Sequence, residues 1–103
     1  MKKILLVEDD KALQKLIVYN FQKEGFNIET VSDGEEALYF IKENYPDLIL
    51  LDWMLPNMSG IEIARQLKLN KKSISIPIIM ITAKSEEPEK LRAIEIGADD
   101  YIT

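Results

Sequence analysis

The sequence predicts a single doubly wound α/β domain with a parallel sheet. Short, wholly apolar runs recur at Ile4–Val7, Leu48–Leu51 and Ile78–Ile81. Segments with helical apolar spacing lie between them, and 103 residues leave room for one core only. Strands this apolar belong to sheets covered on both faces. Parallel strands need helical crossovers, which supply that cover.

Ile4-Leu5-Leu6-Val7 is the first strand, followed directly by acids. Lys11 to Glu24 predicts a helix with Leu13, Leu16, Ile17 and Phe21 inward, closed by Gly25. Asn27 to Val31 alternates apolar with polar and predicts a half-buried edge strand. Ser32-Asp33-Gly34 is a turn or cap. Glu35 to Asn44 follows as a helix with Ala37, Leu38 and Ile41 on one face, barred from continuing by Pro46. Asp47 to Asp52 is a buried central strand. Leu55 to Gly60 has loop chemistry, with Ser59 a candidate cap for a helix through Ile61, Ala64 and Leu67. Lys71 to Ser75 is a polar loop and Ile76 to Thr82 the next strand. Ser85 to Ile96 predicts a fourth helix with Pro88 in its first turn, and Asp99 to Thr103 opens a fifth strand.

Composition narrows the chemistry. Cys and His are both absent, which excludes zinc sites, disulfides and Cys or His nucleophile–base pairs. The net charge is −5, from 13 basic and 18 acidic residues. An acidic domain repels phosphate backbones, so no direct nucleic-acid contact is expected. No apolar run approaches the ~20 residues of a membrane span, and Met1-Lys2-Lys3 leads into no signal-peptide core. A cytoplasmic protein is the default expectation.

In open parallel sheets, functional groups collect at the carboxyl ends of the strands near a reversal of strand order. Glu8, Asp9 and Asp10 follow the first expected strand, Asp52 the third, and Thr82, Ala83 and Lys84 the fourth. If the strand order is 2-1-3-4-5, Glu8, Asp9 and Asp52 converge. Such acids repel one another unless a cation lies among them, and an all-oxygen ligand set selects Mg²⁺ or Ca²⁺, of which Mg²⁺ better suits a phosphate. Asp52, on the most central strand, is then the candidate nucleophile for a phosphoryl group, and Thr82 a hydroxyl donor to it. Asp10 reads better as a helix cap than as a ligand, while Asp9 taken alone fits either role. Trp53 and Tyr101 taken alone read as packing residues, and the lysines as surface.

Val7-Glu8-Asp9-Asp10, the run from Asp47 through Asp52-Trp53-Met54-Leu55-Pro56, Gly60, Ile81-Thr82-Ala83 and Gly97-Ala98-Asp99-Asp100-Tyr101 stand in the order and spacing of bacterial response-regulator receiver domains. The chain resembles that family along its whole length, most closely the PhoB/OmpR branch. The resemblance implies a flavodoxin-like, five-stranded sheet in the order 2-1-3-4-5. It also implies that Asp52 accepts a phosphoryl group from a sensor histidine kinase. Mg²⁺, with Mn²⁺ an acceptable substitute, is then held by Glu8, Asp9, Asp52 and the backbone carbonyl of Met54. Thr82 and the Ala83 N–H contact the phosphoryl oxygens, Thr82 and Tyr101 form the switch pair, and a DNA-binding output domain is expected elsewhere. Lys90 and Asp100 match charged positions of the branch's active dimer interface.

The family also carries a Lys just past the fifth strand and then a fifth helix, whereas the sequence ends at Thr103. Residues 1–103 are therefore expected to be a C-terminally incomplete receiver that is marginal alone and does not form the usual dimer through its helix 4/strand 5 face. The rival readings are a stand-alone or degenerate receiver acting by protein–protein contact, a haloacid-dehalogenase-type phosphatase and a flavin carrier. The phosphatase needs a second acid two residues after the nucleophile, where this chain has Met54. The carrier needs a phosphate-cradling loop after the first strand, where this chain has acids.

Overall fold

The computed structural model describes residues 2–52, 55 and 58–81, together with the backbone of residues 100–102. The elements run β1 (Lys3–Val7), α1 (Lys11–Lys23), β2 (Asn27–Val31), α2 (Gly34–Asn44), β3 (Leu48–Asp52), α3 (Gly60–Leu69), β4 (Ile78–Ile81) and β5 (Asp100–Ile102). All strand pairs are parallel, in the order β2-β1-β3-β4-β5. The order reverses between β1 and β3, where the chain leaves one half of the sheet for the other.

The apolar runs split by the two-residue period of a strand. Leu5, Val7, Ile49, Leu51, Ile78 and Met80 face a core closed by Ala37 and Ile41 of α2 and Ile61, Ile63, Ala64 and Leu67 of α3. Ile4, Leu6, Ile28 and Leu50 face the other side, against Ile17, Val18 and Phe21 of α1. The runs read as continuously apolar because each face of the sheet has its own cover.

Side chains end the helices where the sequence expects them to. The Asp10 carboxylate accepts from the Ala12 N–H (2.9 Å) and the Leu13 N–H (3.2 Å), the Asp33 carboxylate from the Glu36 N–H (2.9 Å), and the Ser59 hydroxyl from the Glu62 N–H (3.2 Å). Each satisfies amides that the helix cannot bond internally. Past α1, Gly25 adopts φ 91°. The Gly25 N–H donates to the Gln22 carbonyl and the Phe26 N–H to the Phe21 carbonyl, the bond pair of a Schellman turn. Phe26 packs edge-on against Phe21 with ring centroids 5.7 Å apart, which supplies the apolar clasp of that turn.

The inward face of α1 differs from the sequence expectation. Leu16 is 59 % exposed, while Gln14 is buried and Ile17, Val18 and Phe21 are half-buried. The buried stripe runs 14, 17, 18, 21, an i, i+3, i+4, i+7 pattern. Leu13 is half-buried as well, so of the four apolar residues expected inward only Leu16 faces solvent. β4 begins at Ile78 rather than Ile76, and the preceding turns bury Ser73, whose hydroxyl donates to the Leu67 carbonyl at 2.7 Å. The helix expected over Ser85 to Ile96 lies outside the described residues.

Gly34 opens α2 against the segment before α3. A Cβ there would stand 2.8 Å from the Met58 Cβ and 3.0 Å from the Ile63 Cδ1. Gly34→Ala is expected to destabilise the fold by about 1–2 kcal/mol: overpacking costs ~1–3 kcal/mol, and alanine's better helix propensity offsets part of it. A fall in the urea midpoint at unchanged slope checks this.

Candidate functional site

The sheet register builds the site. Val7 of β1 pairs with Leu51 of β3, so the residues one step on, Glu8 and Asp52, leave adjacent strands at the same level. The Glu8 N–H still reaches the Val31 carbonyl at 3.0 Å, which extends the β1 path one residue beyond the strand. Asp9 follows as the chain turns towards α1. One carboxylate oxygen from each of Glu8, Asp9 and Asp52 lies within 4.8 Å of the others. The site stands at the carboxyl ends of neighbouring strands, beside the reversal of strand order.

The acids differ in environment. Glu8 is 3 % exposed, Asp52 is half-buried and Asp9 is exposed. The Glu8 pKa is pushed up to about 7, chiefly by burial. The Asp10 N–H, which donates to the Glu8 carboxylate at 3.0 Å, works against the rise. The Asp52 charge, a side-chain hydrogen bond with Asp52 and the Asp9 charge work with it. Asp10 is adjacent in sequence but spends its carboxylate on capping α1.

A cation fits this donor set. The ligand atoms are all oxygens, the choice of hard ions such as Mg²⁺ and Mn²⁺. Clustered carboxylates, one of them buried, also carry a repulsion that a dication relieves.

Of the residues singled out from sequence, Glu8, Asp9 and Asp52 come together. Asp100 and Tyr101 are placed on β5, where Tyr101 pairs with Met80 and Asp100 with Ile79. Met54, Thr82, Ala83 and Lys90 lie outside the described residues. The sequence reading missed Gln14, whose buried side-chain amide donates to the Glu8 carbonyl. The available signal was a polar residue at i−3 from Ile17 on the inward stripe.

A doubly wound sheet with an acid cluster at its switch point defines a class of small α/β domains built to hold a cation next to a carboxylate. The family profile described as the response regulator receiver domain matches residues 4–103. The chain is 47 % identical over 102 residues to the phosphate regulon transcriptional regulatory protein PhoB of Rhizobium meliloti, covering 99 % of this chain and 45 % of that protein. It is 48 % identical over 102 residues to the alkaline phosphatase synthesis transcriptional regulatory protein PhoP of Bacillus subtilis, covering 99 % of this chain and 42 % of that one. Among solved structures, the Mn(2+)-bound form of a response regulator superposes with a TM-score of 0.91 at 30 % identity, covering all of this chain and 81 % of the other. The chain belongs to the response regulator receiver domain family, on the PhoB/PhoP side, and is a signalling domain rather than a turnover enzyme. It spans less than half the length of these two regulators. No helix among the described residues is long and apolar enough to cross a membrane.

The Glu8 shift has a measurable consequence. Folded Glu8 keeps its proton up to about pH 7, whereas the unfolded chain releases it near 4.5. Between those values the folded state binds more protons, so the stability Glu8 contributes is full below pH 4.5 and is lost as pH rises through 7. Thermal melts of the metal-free protein across this window are expected to show that decline, and Glu8→Gln to flatten it. Saturating Mg²⁺ is expected to raise the Tm more at the alkaline end, where the carboxylates are ionised.

Proposed function

We propose that this receiver takes a phosphoryl group onto Asp52 from a phosphohistidine of a sensor histidine kinase, and that the charge so introduced switches an output. The convergence of Glu8 and Asp9 on Asp52 carries the reading. It supplies a nucleophile at a strand end together with the ligands that make phosphate approach feasible. Glu8, Asp9 and Asp52 would hold Mg²⁺, joined by the Met54 carbonyl, with Mn²⁺ as a substitute. A bound cation supplies charge neutralisation for the acids and for the incoming phosphoryl oxygens.

The protein's own groups then do the following. An Asp52 carboxylate oxygen forms the new P–O bond as the P–N bond of the phosphohistidine breaks, and the bonding pair returns to the kinase imidazole. The sheet holds Asp52 through β3, so attack needs no reorganisation of the backbone. Thr82 donates its hydroxyl to a phosphoryl oxygen and the Ala83 N–H to another. Movement of Thr82 draws the Tyr101 ring, so a local charge change biases a two-state element. Lys90 and Asp100 belong to the output face. Transcriptional control through a DNA-binding segment follows from the names of the relatives, and a cytoplasmic setting goes with it. The acids are those an active phosphoacceptor needs, which favours this reading over a degenerate receiver.

Intact-mass analysis after incubation with a small phosphodonor is expected to show one added phosphoryl group that depends on Mg²⁺. Asp52→Asn is expected to abolish it, and phosphorylation persisting in that variant would place the acceptor elsewhere. Mg²⁺ is also expected to change the fluorescence of Trp53, next to Asp52 in sequence, with a saturable midpoint.

A further inference from the structure

We propose that Gln14 is a positioning residue for the acid cluster: its side-chain amide fixes the Glu8–Asp9 peptide so that the carboxylates point into one cation site. The proposal rests on the reading of that cluster as a divalent-cation site.

Gln14 is 7 % exposed. A long polar side chain is rarely buried on a helix unless it is hydrogen-bonded. Its Nε2 donates to the carbonyl of Glu8, six residues back and across the turn between β1 and α1. That turn carries Asp9. The Glu8 carbonyl and the Asp9 N–H share one planar unit, so holding the carbonyl sets the direction in which the Asp9 Cα leaves the strand.

The same residue grips the other side of Asp9. The Gln14 backbone N–H donates to the Asp10 carbonyl at 2.9 Å. Any helical residue at position 14 provides that second bond, but only a side chain with a donor at this reach provides the first. Asp9 is therefore bracketed between two carbonyls tied to one residue of α1. On the strand side, the Glu8 N–H is held by the Val31 carbonyl at 3.0 Å, and the Asp10 N–H engages the Glu8 carboxylate at 3.0 Å. Of these ties, only the Gln14 side chain joins the helix interior to the peptide between two of the clustered acids.

Gln14→Met keeps the length and burial of the side chain and removes the donor. The Glu8 carbonyl then loses its buried partner and the Glu8–Asp9 peptide is free to turn. Removing a hydrogen-bond partner that orients metal ligands typically weakens the metal ~10–100-fold. The Mg²⁺ Kd, read by titration calorimetry, is expected to rise about tenfold or more. Ile17→Val serves as the control: it trims the same helix where it packs against the core under α1 and is expected to lower the Tm with the Kd unchanged. A Gln14→Met protein that loses stability but keeps the wild-type Kd overturns the proposal.

A measurement on the wild type decides the case even where the variant does not fold. Coupling is reciprocal: if the Gln14 bond favours the cation-binding arrangement, the cation favours the bond. Hydrogen exchange of the Gln14 side-chain amide, followed by NMR, is expected to slow several-fold with the same Mg²⁺ midpoint as the calorimetry. A bond that only props up the helix exchanges at one rate with and without Mg²⁺, and that result overturns the proposal. Wild-type protein without saturable Mg²⁺ binding removes the cation reading of Glu8, Asp9 and Asp52 itself, a different failure from an unchanged Kd in Gln14→Met.

Discussion

Three carboxylates held together at the end of a parallel sheet are the constraint on which the rest of this domain turns. Like charges separate when the backbone allows it. Here β1 and β3 are neighbours, and Val7 stands opposite Leu51, so Glu8 and Asp52 leave the sheet together. The packing that fixes the strands thus imposes a repulsion that the local chain would not choose. The effect is visible at Glu8, where burial and the neighbouring acids raise the pKa to about 7. A site of this kind is poised for a dication, and strain stored in a functional cluster is sustained by the surrounding fold.

The fold can sustain it because the sheet is buried from both sides. The core under α2 and α3 takes Leu5, Val7, Ile49, Leu51, Ile78 and Met80, and the core under α1 takes Ile4, Leu6 and Leu50. Neither face can slip by one residue without exchanging these sets, so the register is strongly specified. That register is also what sets the height of Glu8 against Asp52. Stability and site geometry therefore rest on the same alternation of side chains.

The turn from β1 into α1 shows how finely the acids are sorted. Asp10 and Asp9 are consecutive, yet Asp10 gives its carboxylate to the first amides of α1 and Asp9 joins the cluster. The helix start separates them, because the capping residue must turn back over the helix amides while its predecessor still follows the strand exit. Gln14 extends this division from inside the helix.

Much of this was legible in the sequence. The apolar runs predicted the strands, Asp10, Asp33 and Ser59 marked the helix starts, and the acids after Val7 and Leu51 pointed to a shared pocket. These are local signals, carried by period, capping chemistry and composition. On α1 the structure departs from the sequence pattern at two positions, because Leu16 is apolar but exposed whereas Gln14 is polar but buried. Hydrophobicity ranks residues by their transfer cost, while burial here follows the position of the helix over the sheet. The sequence by itself determined which groups were available: strand-forming runs, acids at their ends, and neither thiol nor imidazole. Only the tertiary structure decided which acids meet, which one caps a helix and which buried amide reaches the turn between them, because those choices are set by the pairing of β1 with β3 and the docking of α1 across distances that local patterning does not encode.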